Sequence, residues 1–151
     1  MTMSDREHEA VTDALTKVLA DTYTLYLKTH NFHWNVTGPN FHSLHTMFEE
    51  HYTDMALAVD EIAERIRALG EYAPGSYKAF AELSSIKEAE GRPKAKEMVI
   101  TLAGDHDKLV NTMRAAIEAA EAVSDQPTAD MLIARTQLHQ KYTWMLRSTL
   151  E

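Results

Sequence analysis

The stretch 41–69 carries an apolar side chain at every third or fourth position without a break: Phe41, Leu44, Phe48, Tyr52, Met55, Val59, Ile62, Ile66 and Leu69. A repeat close to 3.6 residues lays all of them along one face of a helix. At about 1.5 Å per residue that helix is roughly 40 Å long, and a face of that length is buried only against other long helices. Three more stretches keep the same rhythm. Residues 4–35 carry Val11, Leu15, Val18, Thr22, Leu25 and Tyr26. After Pro93 come Ala95, Met98, Leu102, His106, Leu109, Met113, Ile117 and Ala120. After Pro127 come Ala129, Leu132, Thr136, His139, Tyr142, Leu146 and Leu150. No strand alternation competes, so the expectation is an all-α chain whose residues 1–151 form a single domain of four helices.

The connections set the topology. Thr37-Gly38-Pro39-Asn40 makes a turn, with Asn40 placed to cap the second helix, and Gly70 is a natural C-terminal stop. The first and third gaps are short, which makes helices one and two, and three and four, antiparallel neighbours. The middle gap, residues 71–92, is too long for a hairpin and can run the length of the bundle, with Tyr77–Glu82 as a short helix inside it. One long crossover between two helical hairpins is the ferritin-like four-helix bundle. A simple up-down bundle with a surface excursion at 71–92 is the alternative.

The absence of cysteine removes disulfides, thiolate metal sites and thiol nucleophiles together. Any metal site must use imidazole and carboxylate. Five residues qualify: His33 near the end of the first helix, and His45, Glu49, Asp60 and Glu64 on the second. His45/Glu49 and Asp60/Glu64 are each four apart, one turn apart on one face. From Glu49 to Asp60 the accumulated rotation is only about 20°, so all four share one stripe beside the apolar seam. Such a ligand set suits iron, manganese or zinc; charged residues at this spacing also make an ordinary solvated face, and His33 alone reads as a packed histidine.

Within one chain these donors cannot meet. Asp60 lies about 16 Å along the axis from Glu49, whereas metal–ligand bonds are nearer to about 2 Å and paired metals sit about 3.5–4 Å apart. No histidine has Glu three residues earlier, so the Glu-x-x-His element of intramolecular di-metal bundles is missing. A second chain is the remaining solution. If the second helix packs antiparallel on its twofold mate, crossing near residues 54–55 where Thr53 and Ala56 are small, His33, His45 and Glu49 of one chain face Asp60 and Glu64 of the other. Each such dimer holds two identical sites.

The segment His33-Trp34-Asn35-Val36-Thr37-Gly38-Pro39-Asn40-Phe41-His42-Ser43-Leu44-His45, followed by Glu49, Asp60 and Glu64, resembles the signature of the Dps family, the mini-ferritins. The resemblance implies a hollow homododecamer with a di-iron ferroxidase site at each half of a twofold interface. It implies oxidation of Fe(II), preferentially by hydrogen peroxide, storage of the ferric product as mineral, and a part in iron homeostasis and the oxidative stress response. Carried over by position, His33, His45 and Glu49 are ligands from one subunit, and Asp60 and Glu64 from its mate. Glu49 stands where several members have Asp. His30, where some carry Lys, reads as a residue behind the ligands rather than one of them. Trp34 matches the family's site-proximal tryptophan, read either as an acceptor of radical equivalents or as a packed interface aromatic. His42 and His51 read as surface or interface residues and Trp144 as core.

Asp125 and Asp130 resemble the acidic positions lining the threefold pores of such shells, although carboxylates at a helix start are also favoured by its dipole. With 23 Asp+Glu against 15 Lys+Arg the chain has a formal charge of −8, which favours cations as partners. Fixed cations are sparse at both ends, Arg6 and Arg147, and phosphate contacts dominate nonspecific DNA affinity. Weak or absent DNA binding is therefore expected. No apolar run approaches bilayer length, and the start lacks an apolar signal core, so a cytoplasmic protein is expected, with nucleoid association the other option. The competing readings are a DNA-shielding or structural dodecamer with incidental iron binding, and a metal-free helical binding module.

Overall fold

The computed structural model describes residues 5–151, with side chains from His8 onward. The reading of the N-terminal tail, which turns on Asp5, Arg6 and Glu7, lies outside the described side chains. Among the described residues five helices follow one another: α1 (Asp5–Asn35), α2 (Phe41–Ala68), α3 (Tyr77–Leu83), α4 (Ala95–Ala122) and α5 (Gln126–Ser148). The four long ones match the four periodic stretches, and α3 is the short helix expected within the crossover.

Side-chain pairs fix the directions. His33 meets His45 and Tyr26 meets Tyr52, so α1 and α2 are antiparallel. Lys28 meets Asp105 and Asp21 meets Thr112, so α1 and α4 are antiparallel too. Helices α2 and α4 therefore run the same way. Residues 69–94 must carry the chain back along the bundle, which is the ferritin-like connection and removes the up-down alternative.

The core is the interior of this bundle. Leu15, Leu19, Leu25 and Phe32 of α1 pack with Phe48, Met55, Ile62 and Ile66 of α2, Leu102, Leu109 and Met113 of α4, and Leu132 and Leu146 of α5. Each such side chain contributes about 1.5–3 kcal/mol on burial, which fixes which face of every helix turns inward. Two buried polar clamps then hold the crossover. The Asp21 carboxylate accepts bonds from Ser84 Oγ, the Ser85 N–H, Ser85 Oγ and Thr112 Oγ1, at 2.9, 2.7, 2.8 and 2.6 Å. Lys28 Nζ donates to the Lys87 carbonyl at 2.8 Å and pairs with Asp105 at 2.8 Å. Burial pushes the Asp105 carboxyl up, and Lys28 opposes that shift.

The helix ends show what sequence rules caught and missed. Gly70, at φ +100°, closes α2 with its N–H bonded to the Arg67 carbonyl and the Glu71 N–H to that of Ile66. Asn40 occupies the expected position before α2, but its side chain makes no capping bond; its φ of −104° and ψ of 21° are not the extended conformation that aims a cap back at the helix. Asp125 caps α5 instead, accepting from the Thr128 N–H at 3.2 Å.

Candidate metal centre

The end of α1 and the first turns of α2 lie side by side, which stacks the His33 and His45 rings with centroids 3.8 Å apart. Their hydrogen bonds are reciprocal: His33 Nδ1 lies 2.7 Å from the His45 carbonyl, and His45 Nδ1 lies 2.7 Å from the His33 carbonyl. A carbonyl only accepts, so both rings carry their proton on Nδ1. Both Nε2 atoms are then left with a lone pair, the form that ligates a metal, and the second-nitrogen bond fixes each ring's orientation. Glu49 Oε1 sits 4.0 Å from His33 Nε2. Two stacked imidazoles thus stand together, with Glu49 beside His33; His33 is buried and Glu49 is open to solvent.

Asp60 and Glu64 sit exposed farther along the same face of α2. The hydrogen bond that the protonated Glu64 carboxyl donates to Asp60, and the repulsion of the Asp60 charge, hold the Glu64 carboxyl above its ordinary range. Two carboxylates in that relation favour a proton or a cation between them. They do not reach the imidazoles: among the described residues, no three His, Asp or Glu converge on one point within the protomer. The chain presents two separate groups of candidate ligands rather than one whole set.

The surroundings are aromatic. His30 is sandwiched between Trp34, at 3.9 Å, and Tyr52, at 4.2 Å, and burial pushes its imidazole down. Trp34 itself is 59% exposed, and Leu57 of α2 is 72% exposed. Large apolar groups left open beside the ligand stripe are what a covering partner would bury.

Other expectations are revised. Asp125, expected to share a pore lining, is buried: Oδ1 pairs with Arg65 at 3.0 Å and Oδ2 accepts from Thr128 Oγ1 at 2.6 Å. Capping α5 and anchoring it to the end of α2 occupies that carboxylate, whereas Asp130 stays exposed. His42 is exposed as expected. Trp144, expected in the core, is 65% exposed; it lies two residues from Tyr142 and Leu146, which take the inward face of α5. His51, expected at the surface or an interface, is 1% exposed and stacks on Tyr142 at 4.1 Å.

His51 belongs to a buried polar group that motif reading did not assemble. Arg135 pairs with Asp54 at 2.9 Å and donates to His139 Nε2 at 2.9 Å. His139 must then donate from Nδ1 to His106 Nδ1, 2.9 Å away. Burial pushes His51 down to about 4 and drives His106 and His139 well below the usual range; neighbouring positive groups add to the effect. The signal was present, since His106, His139 and Tyr142 fall on the apolar stripes of their helices, but helical spacing within single stretches cannot show that they meet.

Comparison with known proteins places this geometry. Residues 12–151 match the family model of the ferritin-like domain. The "DNA protection during starvation protein" of Brevibacillus brevis is 42% identical over 137 residues, 91% of this chain and 92% of that protein. The crystal structure of a Dps protein from Bacillus brevis superposes with a TM-score of 0.95 at 40% identity, covering 99% of this chain and all of that one. The Dps protein of Vibrio cholerae O1, described as a member of a broad superfamily of ferritin-like diiron-carboxylate proteins, superposes at 0.92 with 29% identity, covering 97% and 92%. The chain belongs to the Dps family of ferritin-like proteins, a family of iron storage and oxidative protection.

Proposed function

We propose that this protein is a ferroxidase and iron store whose active sites lie across twofold subunit interfaces. The carrying observation is the reciprocal bonding of His33 and His45, which leaves Nε2 of each ring free to ligate, that of His33 4.0 Å from Glu49. Asp60 and Glu64 of the partner subunit complete the set, and each dimer holds two sites. Iron is the substrate. Carboxylates favour Fe(III) over Fe(II), which lowers the potential at which the metal gives up its electron, and a pair of irons supplies both electrons that hydrogen peroxide needs. The preferred oxidant is peroxide, and the product is stored as mineral inside a homododecamer in the cytoplasm.

Twelve such chains carry about −96 formal charge, twelve times −8, a field that concentrates cations; Asp130 lines their entry. The same charge opposes DNA, so binding at physiological salt is weak or absent. Anaerobic protein with two Fe(II) per site is mixed with peroxide or with dioxygen, and Fe(III) formation is followed by absorbance. Wild type oxidises iron faster with peroxide and consumes one peroxide per two irons. His45→Ala and Asp60→Ala each slow the reaction by about 10–100-fold, the scale of damage to a metal site. Wild-type rates in both variants would overturn the assignment.

A further inference from the structure

A continuous file of phenol rings leaves the His33 corner. Tyr52 stands edge-on to His33 with centroids 5.1 Å apart, Tyr26 follows at 6.1 Å, Tyr23 at 5.6 Å, and Tyr77 of α3 at 6.3 Å. Its far end has a definite address. Tyr23 and Tyr77 line a cleft with Val59 and Ala63, the residues directly before Asp60 and Glu64 in the chain. The file therefore runs from the His33 corner to the turns of α2 that also carry Asp60 and Glu64. Core packing alone does not call for phenols here: Tyr23, Tyr26 and Tyr52 are only half-buried and Tyr77 is exposed.

We infer that Tyr52, Tyr26, Tyr23 and Tyr77 form an electron relay joining the two iron sites of one dimer. The inference rests on the ferroxidase reading above and extends it. Peroxide reduction takes two electrons and two protons to give two waters. When each site holds one Fe(II), the peroxide takes one electron from the iron beside it and one from Tyr52. Tyr26, Tyr23 and Tyr77 refill that vacancy in turn, and the Fe(II) of the other site refills Tyr77. The net reaction is one hydrogen peroxide, two Fe(II) and two protons to two waters and two Fe(III), with every tyrosine restored. Without the relay, an isolated Fe(II) and peroxide give Fe(III), hydroxide and a hydroxyl radical. The relay thus extends clean two-electron chemistry to half-filled sites.

The test compares anaerobic assembled protein carrying one or two Fe(II) per site, reacted with limiting hydrogen peroxide. Irons oxidised per peroxide and spin-trapped hydroxyl radical are measured in wild type, Tyr26→Phe and Tyr23→Phe. Phenylalanine keeps the ring and its packing but is not oxidised in the phenol's range, so the two variants interrupt the file at successive rings. Wild type is expected to oxidise two irons per peroxide at both loadings. At one iron per site either variant drops towards one iron per peroxide, and trapped radical rises severalfold. Overturning results are a wild type that already releases that radical at one iron per site, or variants that match a clean wild type there. If no iron is oxidised even at two per site, the ferroxidase reading fails and the relay with it; a normal two-iron reaction with no difference at one iron sinks the relay alone.

Discussion

Two backbone carbonyls decide the chemistry of His33 and His45, because each takes the Nδ1 proton of the other ring and leaves Nε2 free. The neighbouring question is which acidic residue handles iron before it arrives. Asp125 and Asp130 look equivalent in the sequence, five apart at the start of one helix, but the first holds Arg65 and Thr128 whereas the second accepts from Gln126. Asp125→Asn keeps an oxygen that can cap α5 and gives up the pair with partly exposed Arg65, so it costs about 1 kcal/mol of stability. Iron uptake in that variant stays at the wild-type rate, whereas Asp130→Asn slows it severalfold, as read by stopped-flow mixing of Fe(II) with the assembled shell. Equal slowing in both would return Asp125 to the pore.

At the scale of helices, apolar periodicity carried nearly everything: α2 and α4 fall where three- and four-residue steps put them, because burying a continuous face overrides local detail. The candidate ligands were legible for the same reason, since His45, Glu49, Asp60 and Glu64 keep a helical spacing of their own. Contacts between helices distant in sequence were not legible. Asp21 binding Ser84, Ser85 and Thr112, and His51 meeting Tyr142, depend on how faces rotate against each other once packed. The imidazoles on α2, α4 and α5 have a measurable consequence. Arg135 lies on one side of His139 and another histidine on the other, so an added proton breaks a hydrogen bond and places positive charge beside a guanidinium. In the unfolded chain these histidines titrate near 6.5, and in the folded protein they titrate lower, His51 at about 4. Below 6.5 the unfolded state binds more protons, so stability is complete above that pH and falls as pH drops towards 4. His51 alone contributes roughly 3 kcal/mol to that loss at about 1.4 kcal/mol per unit. Among the described residues both of its ring nitrogens lack partners, so His51→Phe keeps the stacking on Tyr142 and removes the liability. The urea midpoint of the variant at pH 7 should equal or exceed that of wild type, and its decline between pH 6.5 and 4 should be shallower; a parallel decline would mean that His51 is not part of the acid response.

For the whole molecule, everything turns on whether a protomer's two half-sets of ligands serve two different sites. His33, His45 and Glu49 gather at one end of the α2 stripe, and Asp60 and Glu64 lie about 16 Å farther along it, so a single chain completes neither. Under the proposed shared site, an isologous twofold contact would bring the first half-set of each chain to the second half-set of the other. Subunit mixing reads this out directly. In a dimer of one His45→Ala subunit and one Asp60→Ala subunit, one site receives both lesions and the other receives neither. Random reassembly makes half of the dimers mixed, each with one intact site of two, so about a quarter of the wild-type ferroxidase activity returns from two parents that are each slowed about 10–100-fold. Sites confined to one chain would instead keep a lesion in every subunit, and no activity would return however completely the subunits mixed. Native mass spectrometry verifies the mixing, and the initial rate of Fe(III) formation with peroxide gives the fraction restored. A return near one quarter assigns Asp60 to the partner's site, whereas none in verified mixed dimers removes the shared interface and, with it, the reason for the exposed stripe on α2.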